Sequence, residues 1–188
     1  MKLLRDNNTI YKEPNILKFG ICIIYLALVL MLITSCSIGK PLVSGDYKYN
    51  VASNHEAGII KYLGKGGDIT LPADFGETPI YEIQADAFAD CSSLTSVKTS
   101  GYLSYIDDSA FANCVNLESV TISSHVTVVL DHAFAGCKNL HTVYFEGNAP
   151  TSVGSGIFDG ASPDFVIYYH EATNGWTNPW NGYKTATY

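Results

Sequence analysis

The sequence predicts a solenoid of stacked coils. Each 23-residue coil should supply a short parallel β-strand and a helical turn, with a β-hairpin capping the N-terminal end and aromatic residues capping the C-terminal end. Three observations carry this expectation. Phe88, Phe111 and Phe134 recur at a fixed 23-residue step, and Cys91, Cys114 and Cys137, Leu94, Leu117 and Leu140, and Val97, Val120 and Val143 keep the same step. Each copy ends in a two-residue alternation, as in Ser119-Val120-Thr121-Ile122-Ser123, which puts Val120 and Ile122 on one side of an extended strand and the polar residues on the other. The pattern also becomes irregular at both ends, which is how a solenoid is closed.

The chain begins before the solenoid does. Residues 1–20 carry Lys2, Arg5, Lys12 and Lys18 against Asp6 and Glu13, and 21–33 are almost wholly apolar. A basic start followed by an apolar run is the pattern of an export signal. Ile33-Thr34-Ser35-Cys36 resembles the lipobox of bacterial lipoproteins, in which small residues let the peptidase approach and the thiol accepts the acyl chains. Residues 1–35 are therefore expected to be a lipoprotein signal peptide, with Cys36 as the lipidated first residue; the same residues also suit an uncleaved signal anchor. Several acyl chains on one terminus anchor stably, because each buried CH2 contributes about 0.8 kcal/mol. From Cys36 onward seven Lys face sixteen Asp and Glu, a formal charge of −9, against −7 for the whole chain. That balance argues against nucleic acid, whose phosphates need Lys and Arg clusters.

Residues 36–45 read as a tether and 46–188 as the folded domain. Within it, 46–67 should form the hairpin cap, because 46–51 and 58–63 alternate in polarity around a polar break. The coils should span 68–149, with Ile69 and Leu71 standing where Val97 and Thr99 stand one coil later. In the central coil, Asp107, Asp108 or Ser109 is placed to cap a helical turn, and Ala110, Phe111 and Cys114 face inward from it. Residues 150–188 hold the last coil and the C-terminal cap: Phe158 restarts the pattern one position later than the regular step from Phe134 would place it, and 165–169 supply the last strand.

The run Ala-Phe-x-x-Cys-x-x-Leu-x-x-Val-x-Ile, carried by Ala110, Phe111, Cys114, Leu117, Val120 and Ile122, resembles the leucine-rich repeat of BspA-type bacterial surface proteins over about residues 68–169. Thr99 and Phe145 replace Ile122 in the flanking copies, and Leu130 with His132 departs from the usual turn. The resemblance implies a leucine-rich repeat solenoid, anchored or secreted, that adheres to host proteins or to neighbouring cells.

The remaining residue types fit a binding protein better than an enzyme. Three cysteines at a 23-residue period match no zinc spacing and read as a small residue filling one core slot, with a disulfide between adjacent rungs as the alternative, which the odd count would leave with one unpaired thiol. His55, His125, His132, His141 and His170 fall at unrelated points of the repeat, and no nucleophile elbow, phosphate loop or dinucleotide fingerprint occurs. No catalytic residue, metal or cofactor is expected. Candidate binding residues are the outward positions of the strands, Ser96, Ser119 and Thr142 in one column and Lys98, Thr121 and Tyr144 in the next. They would meet a protein ligand. Trp176, Trp180 and Tyr183 offer an alternative, a glycan site in which rings stack on sugars, or else they seal the final coil. A structural envelope component without a discrete ligand is a third reading.

Overall fold

The computed structural model describes residues 40–99 and 101–188. The signal peptide predicted over 1–35 and the lipidation predicted at Cys36 lie outside the described residues. Strand formation follows the two-residue alternation. The strands are β1 (Leu42–Ser44), β2 (Tyr47–Val51), β3 (Ala57–Tyr62), β4 (Gly67–Thr70), β5 (Asp74–Phe75), β6 (Thr78–Ile83), β7 (Leu94–Lys98), β8 (Tyr105–Ile106), β9 (Ser119–Ile122), β10 (Val128–Val129), β11 (Thr142–Phe145), β12 (Ser152–Val153), β13 (Val166–Tyr169) and β14 (Thr185–Thr187).

Two sheets face each other across the core. The first runs β1-β2-β3-β6-β8-β10-β12 with β5 paired to β6, and the second runs β4-β7-β9-β11-β13-β14. From β6 to β12 and from β4 to β14 neighbouring strands are parallel. In the second sheet Val97, Val120 and Val143 stand in one register and are buried, so the repeated valine is the inward column. Leu71 takes its place beside Lys98 and Thr99, as the sequence spacing predicts. The short strands of the first sheet are too brief for their alternation to stand out in the sequence. Their inward residues, Ile83, Ile106 and Val129, are fully buried at the same 23-residue step.

The expected helical turn is absent, and the reason lies in the hydrogen bonds. On the third side of each coil, two residues adopt left-handed backbone: Asp86 and Asp90, Ser109 and Asn113, then His132 and Gly136. A left-handed residue every fourth position interrupts any α-helix. The Ser109, Phe111 and Asn113 N–H groups instead donate to Asp131, Ala133 and Ala135 of the next coil at 2.7–3.0 Å. Ala110 and Ala112 close three-residue turns within their own coil. Nor do the aspartates cap a helix. Asp108 Oδ1 accepts the Asp131 N–H at 3.0 Å, and Asp131 Oδ1 accepts the Ser155 N–H at 2.6 Å, so each carboxylate ties its coil to the following one.

Phe88, Phe111, Phe134 and Phe158 form a continuous stack down the core, with ring centroids 4.6, 5.0 and 5.4 Å apart. Small residues permit this spacing. Cys114 and Cys137 are buried free thiols, and their Sγ atoms donate to the Phe88 and Phe111 carbonyls of the preceding coil at 3.2 Å. The Cys114 ionisation is pushed up, first by the neighbouring Cys137 thiol and then by loss of water. Cys91 is half-buried, and desolvation raises it too.

Both ends are capped by rings. At the N-terminal end, the hairpin predicted over 46–67 is extended by β1 into a three-stranded antiparallel meander, so the residues 42–44 expected in the tether are part of the sheet. Tyr62 stacks under Phe88 at 5.0 Å, and Tyr47 lies 6.5 Å from the same ring. Burial, with Tyr62 and Asp46 nearby, pushes the Tyr47 hydroxyl up to about 12. At the other end β13 is not the last strand, because β14 adds to its outer edge in parallel register.

Candidate interaction surface

The second sheet presents a regular outward ladder. Strand alternation buries the valine column, and pairing then fixes which polar residues stand side by side. Ser96, Ser119 and Thr142 form one row, with Asp68 before them and Val166 after. Thr70, Lys98, Thr121, Tyr144, Tyr168 and Ala186 form the next. All six sheet residues singled out in the sequence therefore share one face.

That face is not uniform along its length. At the N-terminal end, Thr95 and Ser96 donate to Asp68 Oδ1 at 2.7 and 2.8 Å, and these bonds, the one from Thr95 first, hold the Asp68 carboxyl below its ordinary value. Across the middle, Lys98 Nζ lies 3.4 Å from Glu146 Oε1, with both side chains well exposed. An ion pair in such a setting contributes below about 1 kcal/mol, so it orders the surface more than it stabilises the fold. At the C-terminal end, Tyr144 stacks on Tyr168 at 5.2 Å and 19° and meets Tyr188 edge-on at 5.6 Å. His170 flanks Tyr188 at 6.0 Å. The repeat pattern does not single out Tyr168 or Tyr188 for this face. For Tyr168 the sequence does hold a signal: it stands one position beyond the regular step from Tyr144, the same lengthened spacing that separates Phe158 from Phe134.

The C-terminal aromatics are engaged elsewhere. Trp180 is only 6% exposed and packs against Trp176 at 4.9 Å and Phe145 at 6.0 Å. Trp176 lies flat on Tyr169 at 5.1 Å and 6°, with its Nε1 donating to the Gly147 carbonyl. The Tyr183 ring meets Phe158 and Phe165 edge-on, while its hydroxyl accepts from the Phe158 N–H and donates to Asp159. A sugar needs an open ring face, and Trp180 has none.

Among the described residues, no group of three or more His, Cys, Asp and Glu side chains could hold a metal. His141 Nδ1 lies 2.6 Å from Asp164 Oδ1, and Ser162 Oγ donates to the same oxygen at 2.5 Å. The composition is that of a hydrolase relay, but the order differs. Here the carboxylate stands between serine and imidazole, so the imidazole has no contact through which to take the serine proton. The two bonds, from Ser162 first and His141 second, hold the Asp164 carboxyl below its ordinary value.

A parallel solenoid with stacked phenylalanines, paired sheets and an outward ladder defines a repeat protein of the leucine-rich class. The chain belongs to the BspA type leucine-rich repeat family, whose model matches residues 68–173 in 6 copies. No curated protein matches the chain. Among solved structures it is similar to a leucine-rich repeat protein from Bacteroides capillosus, at 20% identity and a TM-score of 0.59, covering 69% of this chain and 98% of that one. A leucine-rich repeat protein from Bacteroides ovatus matches at 21% identity and a TM-score of 0.54, over 70% of this chain and 38% of the other. A leucine-rich cell surface protein from Faecalibacterium prausnitzii matches at 21% identity and a TM-score of 0.47, with 71% of this chain covering 46% of that protein's length. At these identities the likeness to the two Bacteroides structures is one of fold.

Proposed function

We propose that the chain is a non-catalytic protein displayed outside the cytoplasm, held to a membrane by lipid on Cys36, and that the outward face of its second sheet binds a protein ligand on a host or neighbouring cell. The observation that carries this reading is the ladder itself. It is an ordered, sparsely charged surface that ends in the Tyr144, Tyr168 and Tyr188 cluster. Tyrosine supplies large contact area with little rotamer entropy to lose, which is why it is enriched at binding interfaces. Family membership supports the reading too, since stacked repeats offer extended surfaces to partners.

Replacing Lys98, Thr121, Tyr144 and Tyr168 with alanine in the full chain should abolish retention of the extracellular proteins that the native chain holds, while the melting temperature changes by a few degrees at most. Undiminished retention would overturn the choice of face. For the anchor, mass spectrometry of the mature N-terminus should find an acylated Cys36, and Cys36→Ser should release the protein from membranes. A chain that begins at an unmodified Met1 would refute lipidation.

A further inference from the structure

A concave site lies at the corner where the chain passes from the second sheet back to the first. Four successive layers contribute to it: Glu56 before β3, Pro79 and Tyr81 in β6, Tyr102 and Ser104 before β8, and His125 before β10. Together they line a trough of about 370 Å³, at the small end of the range for ligand pockets. Its walls are mostly rings. Tyr81 pairs with Tyr105 at 5.1 Å, and Tyr102, which is 64% exposed, pairs with His125 at 5.9 Å. An exposed tyrosine held by a neighbour keeps one ring face for a ligand.

The charge in the trough is of one sign. Glu56 is the carboxylate among its lining residues, and neither lysine nor arginine lines it. Asn54 Nδ2 donates to Glu56 Oε2 at 2.6 Å, and the Glu56 N–H donates to Asn54 Oδ1, so the carboxylate is held in place rather than left free to rotate away. Glu56, Tyr81 and Tyr102 line the same trough, and the Tyr81 hydroxyl is pushed up, chiefly by loss of water. Electron-rich ring faces beside a fixed carboxylate attract a cation, and the planar guanidinium suits this pairing best because it stacks on rings and meets carboxylates through two N–H groups.

We infer that this trough is a socket for an arginine side chain of the protein ligand, stacked on Tyr102 and Tyr81 and paired to Glu56. The site is separate from the sheet face and rests only on the reading that the ligand is a protein. A partner that reached both would cross the corner at Tyr102 and His125, which also border the groove containing Lys98 and Glu146.

The test is a titration of the full chain with N-acetyl-arginine amide, followed by NMR at about pH 8, where imidazoles are neutral. Saturable shifts of the Tyr81 and Tyr102 ring protons are expected at millimolar concentrations. Glu56→Gln should weaken binding by about fivefold and Tyr102→Ala by about threefold, the scale of partly exposed cation–ring and ion-pair contacts. The variant lacking Lys98, Thr121, Tyr144 and Tyr168 side chains should bind the probe as the native chain does, which separates this site from the sheet face. Equal affinity for N-acetyl-norleucine amide would overturn the cationic assignment, and tighter binding of tetramethylammonium would overturn the assignment to arginine. Insensitivity to Glu56→Gln would overturn the socket itself.

Discussion

Phe111→Ala tests whether the phenylalanine stack is the element that makes the coils one cooperative unit. Phe111 is fully buried and sits between Phe88 at 4.6 Å and Phe134 at 5.0 Å, nearly parallel to the latter. Truncating a buried phenylalanine costs about 3–5 kcal/mol, from lost transfer energy and the cavity left behind. Two ring contacts, each worth about 0.5–1.5 kcal/mol beyond burial, place this site at the upper end, near about 5 kcal/mol. Relaxation offers little relief, because the Phe111 N–H, like those of Ser109 and Asn113, is bonded to the next coil and fixes the spacing between the coils. With an unfolding entropy of about 2.1 cal/mol/K per residue over roughly 150 residues, that loss lowers the melting temperature by about 15 °C. Circular dichroism melts of the full chain, with urea titration to confirm an unchanged m-value, give the readout. Phe111→Leu, which keeps most of the volume and loses the stacking, should cost about 1–2 kcal/mol. If Phe111→Ala moves the melting temperature by less than about 5 °C, the stack is not the core that couples the coils.

The hydrogen bonds and thiols set the remaining expectations. Thr99 is buried and its Oγ1 accepts the Ser123 N–H at 2.8 Å, so Thr99→Val should cost about 1–3 kcal/mol in urea unfolding by leaving that N–H without a partner. Ser123 Oγ is buried without a partner, so Ser123→Ala should be neutral or stabilising by up to about 1 kcal/mol, and a clear loss would contradict its orphan state. The Asp131 carboxyl is held below its ordinary value, first by the Ser155 N–H and then by the Ser155 hydroxyl. A lowered carboxyl contributes stability that is present above the unfolded pKa and is lost as the pH falls through the folded value. Melting temperatures should thus drop below about pH 4, and Asp131→Asn should flatten that drop; an unaltered acid profile would refute the link. In the native state, maleimide labelling followed by peptide mass spectrometry should modify Cys91 well before Cys114 and Cys137, which are fully buried. Equal rates would mean that the coils open as readily as the surface.

The strict repeat step, read together with the strand alternation, was enough to establish the stacked coils, the phenylalanine core, the inward valine column and the outward positions of Ser96, Lys98, Ser119, Thr121, Thr142 and Tyr144. These follow from the sequence because side-chain direction in a strand is set by residue parity and a strict period forces equivalent residues into register. Tertiary structure alone decided the rest. The turn at Ser109 and Asn113 satisfies its N–H groups on the following coil instead of within a helix, and local propensity carries no information about a neighbour one full coil away. Trp180 could have faced solvent or core on sequence grounds; the open end of the stack at Phe145 and Phe158 drew it and Tyr183 inward. Tyr188 joined Tyr144 only because β14 adds a strand to the sheet edge. The trough of Glu56, Tyr81, Tyr102 and His125 gathers one or two residues from each of four layers, and residues so dispersed become neighbours only once the coils are stacked.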